Sequence, residues 1–538
     1  MLKNGIKYFK AMKILTNTIY ESDLKPEGLS NPVTTPWFRN HVQKSYVFNY
    51  VAKLVLVLAG IMFSIGLKAQ QPVSFVSDHQ RVYANTFDSE VKKMMLEVGV
   101  PGSSIAIIEN NQVAYAKNYG YKQLEDKDPV TDNSVFEACS LSKMLLVYVV
   151  QKLADEQKID LNKPLYQYLE YEPLKHDPRY KLITAHMILS HSSGIENWQW
   201  ENDPKVLEIV AEPGSKFVYS GEGFQYMAKV VAKILNEPYD VYVSKMVLGP
   251  LHLNSTYLKY VEKNDSLHIA ASPTDYAVGY SDMEVPVKKW KNADPVPASG
   301  MHTTAADYAR LIIGMFNEKN LSAAGLKRMT KPVIRMNEGS DAIWLSEGFF
   351  LLKTPDDTLA FFNGINNGFK SEIFYSVKNK RGFVLFTNSD RGELMTGYLS
   401  QLTTKFNLNA LFTTSFYSVY PSQAISLFRM YREKNTAAML TEIQNLKTTG
   451  TIKPNTLNEL GDTFMSHDME LSRKLLEMNI ELFPDSSLSY CLLGGVYYQT
   501  KKYDLAYANL TKAKQLNFDM WDIEGPLKDA KANLSKAK

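Results

Sequence analysis

The residues that could do chemistry concentrate in one segment, Phe136-Glu-Ala-Cys-Ser140-Leu-Ser-Lys143. A serine hydroxyl is a weak nucleophile until a neighbouring base takes its proton, and a lysine amine can be that base. The spacing alone says little, because Ser22…Lys25 and Ser535…Lys538 share it. The residues just downstream are more telling. Leu141, Met144, Leu145, Leu146, Val147, Val149, Val150 and Leu153 leave almost no polar face, which predicts a buried helix. A buried ammonium group has to be paired or used. Lys143 falls three residues after Ser140, on the same side of the first turn. Desolvation there would lower its pKa until it could accept the hydroxyl proton. The helix N-terminus would favour the developing alkoxide. The competing reading is a lysine that snorkels its amine out to solvent.

The elements around this segment read as α+β. Ser104–Glu109 and Gln112–Lys117 are expected strands joined at Asn110-Asn111, a two-residue hairpin turn. Thr358–Gly364, Glu372–Val377 and Phe383–Asn388 are three more, with tight connections. Strands at both ends of a mostly helical segment imply one antiparallel sheet closed by its first and last strands. Helices would flank it and a helical lobe would sit beside it. This domain is expected over residues 75–412. Strand patterns then stop, and residues 420–538 read as a small all-α repeat module. Tyr490, Leu493, Gly494, Tyr497, Ala506 and Ala513 follow the small/large pattern of a tetratricopeptide unit, and Leu460, Gly461 and Phe464 begin a looser copy. The module is read either as a helical cap on the preceding domain or as a groove for a protein partner.

Residues 1–69 are set apart as a leader. Leu54 to Leu67 is uncharged and fourteen residues long, short for a span of about 20 but suited to the apolar region of a secretory signal. Lys44 and Lys53 supply the positive flank and Ala69 a small residue for cleavage. Export to the periplasm or beyond is expected, with an inner-membrane anchor at 54–67 as the alternative. The long stretch before it fits a start codon assigned too far upstream. Sixty Lys and Arg against 57 Asp and Glu give a net charge of +3, too small for a nucleic-acid binder that works by bulk charge. Two distant cysteines, Cys139 and Cys491, exclude a disulfide framework or a cysteine-built metal centre.

The runs PGSSIAIIENNQVAYAKNYGY…VFEACSLSK, ITAHMILSHSSGI, EPGSKFVYSGEGFQYMAKVV, ASGMHTTAADYARL and FFNGINNGFKS together resemble the serine β-lactamase-related family. That family includes class C β-lactamases, low-molecular-weight penicillin-binding proteins and family VIII esterases. The five motifs stand in the family's order across about 300 residues. The resemblance implies the β-lactamase/transpeptidase-like fold, with Ser140 as the acylated nucleophile and Lys143 as its proton partner. Tyr219, in Tyr219-Ser220-Gly221, would move the proton to the leaving group as a phenolate or a relay. Gly221 departs from the family's asparagine, whose amide holds lysine and substrate. Glu222 next to it reads as a contact to Lys143 or as a solvated helix-start residue.

The third family motif falls at Phe362-Asn363-Gly364, or one residue along at Asn363. Gly364 would let a bound acyl chain approach the strand, and the amides of Ile365 and Ser140 would form the oxyanion hole. Phe362 stands where the family carries a cation, which disfavours substrates with a carboxylate relative to short-chain esters or neutral amides; Phe362→Lys is expected to narrow that gap, unless Lys370 already supplies the charge. No metal or organic cofactor is implied. His186 and His191, five apart and with no apparent carboxylate, do not read as metal ligands, and His191 resembles a family turn element. Trp198 and Trp200 either line the cleft or fill a loop. Cys139 reads as a small buried residue on the helix.

The expected activity is acyl transfer through a Ser140 ester on an ester, amide or D-amino-acid peptide. The substrate would be a small molecule or peptidoglycan-derived, and a protein partner could bind the repeats. The rival reading, favoured by Gly221 and Phe362, is a catalytically decayed binding or scaffolding protein.

Overall fold

The computed structural model describes residues 73–538, apart from 200–205, 262–274, 337–340, 415–421, 519–522 and 537–538. The chain divides into two units, 1–71 and 72–538. The leader expected at 1–69 and Trp200 lie outside the described residues. No helix among the described residues is long and apolar enough to cross a membrane.

The centre of the second unit is a nine-stranded antiparallel sheet. Its strands in chain order are β1 (Gly102–Glu109), β2 (Gln112–Gln123), β3 (Asp128–Pro129), β4 (Ile334–Arg335), β5 (Ile343–Leu345), β6 (Phe350–Lys353), β7 (Thr358–Asn366), β8 (Phe369–Ser376) and β9 (Arg381–Thr387). They lie in the order β3-β2-β1-β9-β8-β7-β6-β5-β4. Asn110 and Asn111, at φ 52° and 60°, take the left-handed conformation that the β1–β2 turn needs and that asparagine tolerates. β1 pairs with β9, Ser104 facing Phe386 and Ala106 facing Val384, so strands from opposite ends of the domain close the sheet. Every residue of β1 is buried, as expected of a central strand covered on both faces.

Helices cover the sheet. Helix α1 (Ala84–Val98) ends at Gly99, whose φ of 75° supplies the left-handed cap. Helix α2 (Lys143–Asp155) is buried on nearly all faces, α3 (Gly221–Leu235) lies against it, and α4 (Ala305–Met315) packs on β1, β2 and β9. One apolar core runs from Phe75 to Ile425.

Seven further helices follow: α5 (Gln423–Glu433), α6 (Thr436–Thr448), α7 (Thr456–Met465), α8 (Met469–Leu482), α9 (Ser487–Gln499), α10 (Tyr503–Gln515) and α11 (Glu524–Lys536). Two of the antiparallel pairs close on a glycine. A Cβ at Gly461 would stand 2.6 Å from Leu476, and one at Gly494 would stand 2.8 Å from Leu510. α5 belongs to both bodies of the structure, because Ile425 joins the large core while Ala424 and Phe428 join the first helical one. The Arg391 guanidinium, 3.7 Å over the Phe428 ring, reinforces this joint.

Candidate active site

A short ladder, Phe136–Glu137 against His302–Thr303, delivers the chain to a 3-10 turn over Cys139–Ser142, and α2 begins only at Lys143. Cys139 is therefore in the turn rather than on the helix. Its φ of 51° is costly for a residue with a side chain. The turn is held in place by its surroundings: Ala138 N donates to Met301 O at 2.8 Å, Ser142 Oγ to Cys139 O at 2.6 Å, and Ser371 Oγ to Ala138 O at 2.7 Å. The result is a rigid elbow that leaves Ser140 half-buried and reachable.

Lys143 is fully buried, which rules out the snorkelling reading. Its Nζ lies 3.3 Å from Ser140 Oγ, donates to Ala298 O at 2.8 Å, and sits 4.8 Å from the centre of the Tyr219 ring. Burial pushes its pKa down to about 7. The amine is thus poised between its charged and neutral forms near neutral pH. Tyr219 shares a hydrogen bond with Ser140, and burial raises its phenol above the ordinary value. Burial works against the phenolate form, leaving a neutral hydroxyl beside Ser140. Tyr219 is itself held from below. His191, in the left-handed conformation at φ 51°, stacks on it at 4.4 Å and accepts the Ser220 amide on Nδ1 at 3.1 Å. Burial first, then the nearby Lys143 charge, holds His191 well below its ordinary pKa, so the ring is neutral.

Gly221 opens α3 behind the N-cap Ser220. A Cβ here would lie 2.4 Å from the Trp198 indole. The tryptophan fills the room that an asparagine amide would need, so Trp198 and Gly221 are one feature and not two. Glu222 neither reaches Lys143 nor stands in solvent. It is buried, accepts the Gln199 amide at 3.4 Å and meets Tyr171, and burial raises its pKa.

On the opposite wall, Gly364 lies against the elbow. A Cβ on it would stand 2.4 Å from Ser371 Oγ and 2.8 Å from both Cys139 Cβ and Ser140 N. This contact brings the Gly364–Ile365 backbone to the Ser140 amide. Phe362 shares the Gly364 face by strand alternation, but it is fully buried against Phe350, ring centres 5.2 Å apart. Asn363 is on the other face, paired in register with the buried Glu372. Lys370 does not supply the missing charge: it lies on the face opposite Ser371 and pairs with Glu393 at 3.1 Å. His186 has a carboxylate partner after all, its Nδ1 2.7 Å from Glu347 Oε1, a contact 161 residues apart in sequence. Among the described residues no cluster of three or more His, Cys, Asp or Glu is arranged to hold a metal ion.

The profile of the Beta-lactamase family matches residues 87–401, more than half of the chain. The chain belongs to this family. Among curated relatives, Protein flp of Staphylococcus aureus (strain NCTC 8325 / PS 47) is 24% identical over 314 residues, covering 54% of this chain and 60% of that protein. A beta-lactamase of Pseudomonas fluorescens is 25% identical over 257 residues, 46% of this chain and 67% of that protein. The match thus spans about 60% of the length of the staphylococcal relative. The octameric penicillin-binding protein homologue from Pyrococcus abyssi superposes with a TM-score of 0.50 at 22% identity, over 59% of this chain and 77% of that one. That likeness establishes the shared α+β fold.

Proposed function

We propose that this member of the Beta-lactamase family is an exported serine hydrolase, with a hydrolase domain over about 75–412 and a tetratricopeptide-like helical module over about 420–538. The observation that carries the reading is the fully buried Lys143 amine 3.3 Å from Ser140 Oγ, with Tyr219 on the same hydroxyl. Neutral Lys143 takes the hydroxyl proton as Oγ attacks the substrate carbonyl. The oxyanion of the tetrahedral intermediate is stabilised by the backbone N–H groups of Ser140 and Ile365. Tyr219 relays the proton to the departing alcohol or amine, leaving an ester on Ser140. Water then attacks that ester, giving up its proton through the same pair, and the acid departs as Ser140 recovers its hydrogen.

The substrate class is set by the residues bordering the nucleophile. Phe362, buried against Phe350, leaves this wall without a carboxylate-binding cation, and the Trp198 indole against Gly221 takes the place an amide would otherwise hold. A charge-assisted hydrogen bond is worth about 1.5–3 kcal/mol, so its loss costs carboxylate-bearing substrates about 10- to 150-fold in kcat/KM. Neutral short-chain esters or amides are the favoured class. Hydrolysis of aryl esters, abolished in Ser140→Ala and exceeding hydrolysis of a chromogenic cephalosporin, is the expected result. A cephalosporin turned over as efficiently as the esters would overturn the substrate assignment.

A further inference from the structure

The β7–β8 hairpin carries the Gly364–Ile365 backbone on one side and backs onto a cavity of about 220 Å³ on the other. Lys370, Asp390 and Glu393 line the cavity from the sheet side, and Glu459 and Asp462 line it from α7. The turn of the hairpin, Asn366-Asn367-Gly368, begins at the residue after Ile365. It is fastened at two ends. Asn366 Nδ2 donates to Glu137 Oε2 at 2.7 Å, towards the nucleophile elbow. Gly368 N donates to Asp390 Oδ1 at 2.8 Å, towards the cavity. Asp390 in turn is fixed through its own backbone, its N–H donating to Tyr280 O at 2.9 Å, while Tyr280 N–H donates to Gly368 O at 3.3 Å. Gly368 has φ 78°, and a Cβ there would lie 2.7 Å from the Tyr280 amide, so the turn has little room to settle elsewhere.

We propose that Asp390 is a positioning residue for acyl transfer, its carboxylate fixing the 366–368 turn and so the spacing of the Ile365 and Ser140 amides around the oxyanion. The inference rests on the reading of Ser140 as the nucleophile. Asp390 touches no substrate; it acts through the hairpin. Burial first, with Asp282 and Glu393 adding to it against the Gly368 amide and Lys370, raises the Asp390 pKa to about 6. The acceptor at neutral pH is therefore the ionised carboxylate, which bonds an amide more strongly than a neutral oxygen. The cavity places this contact at the joint with the helical module, where α7 forms the facing wall.

The test uses the full chain with Asp390→Ala and Asp390→Asn. It compares aryl-ester kcat and KM and the rate of inactivation by a fluorophosphonate, each per active site titrated, so that misfolded molecules do not count. Misplacing an oxyanion donor by a fraction of an ångström should lower kcat and the inactivation rate about 10- to 100-fold in Asp390→Ala. KM should stay unchanged, because the hole is filled only in the transition state. Asp390→Asn keeps an acceptor oxygen and should recover most of the rate. Full per-site rates in Asp390→Ala, equal losses in both variants, or a loss confined to KM would overturn the assignment. Failure of the unaltered chain to react at Ser140 would overturn the Ser140 reading itself, and this inference with it.

Discussion

On the proposed mechanism Lys143 answers to two constraints, a buried helix that disfavours its charge and a serine that needs its lone pair. Because burial lowers its pKa to about 7, the base is protonated below that pH and free above it. The kcat/KM for a neutral ester should therefore rise with pH through about 7 and then level off. Lys143→Arg, charged at every accessible pH, should lose about 10²- to 10⁴-fold and the pH step with it. A flat profile between about pH 6 and 8 would remove Lys143 from the role of base. Gly221 gives a second residue-scale expectation. Gly221→Asn drives a side chain into Trp198 and should destabilise the protein by about 1–3 kcal/mol in denaturant unfolding. Pairing it with Trp198→Ala should return most of that loss; additive losses would contradict the shared volume. Phe362 corrects an expectation read from the sequence. Its burial against Phe350 means that Phe362→Lys places an ammonium among aromatic rings rather than in a substrate pocket. The variant should lose about 3 kcal/mol or more of stability and gain no cephalosporin turnover.

The elements that position the site were legible where local chemistry alone determines them. Asn110-Asn111 announced its turn, the alternation of Thr358–Gly364 its strand, and the unbroken apolar run after Ser140 its buried helix. The start of that helix was not legible, because the 3-10 elbow depends on Met301 and Ser371, residues more than 150 positions away. His186 with Glu347 and His191 beneath Tyr219 were hidden for the same reason: each partner arrives from another element. In the helical module the glycines of α7 and α9 betrayed two pairs, whereas α5 and α6 carry no glycine and gave no such signal. The close approach at Gly494 can be tested directly. Gly494→Val would press a branched side chain onto Leu510 and should cost about 1–3 kcal/mol, read as earlier loss of helical circular dichroism. An unchanged transition would mean that α9 and α10 are held apart by something else.

At the scale of the molecule, a family domain over 87–401 is followed by helices that share α5 with its core. The proposal of export makes its own expectation: protein recovered from cells should begin at or near Gln70 by intact mass, and an intact leader on soluble cytoplasmic protein would reject it. The central claim, that the rigid elbow presents Ser140 to a neutral lysine for acylation, is tested most directly by one measurement. The chain is treated with a fluorophosphonate, digested, and the modified peptide sequenced by mass spectrometry. The expected result is one adduct per molecule, on Ser140, absent from a folded Ser140→Ala variant. An adduct on another residue, or labelling of the Ser140→Ala variant at the same rate, would contradict the claim.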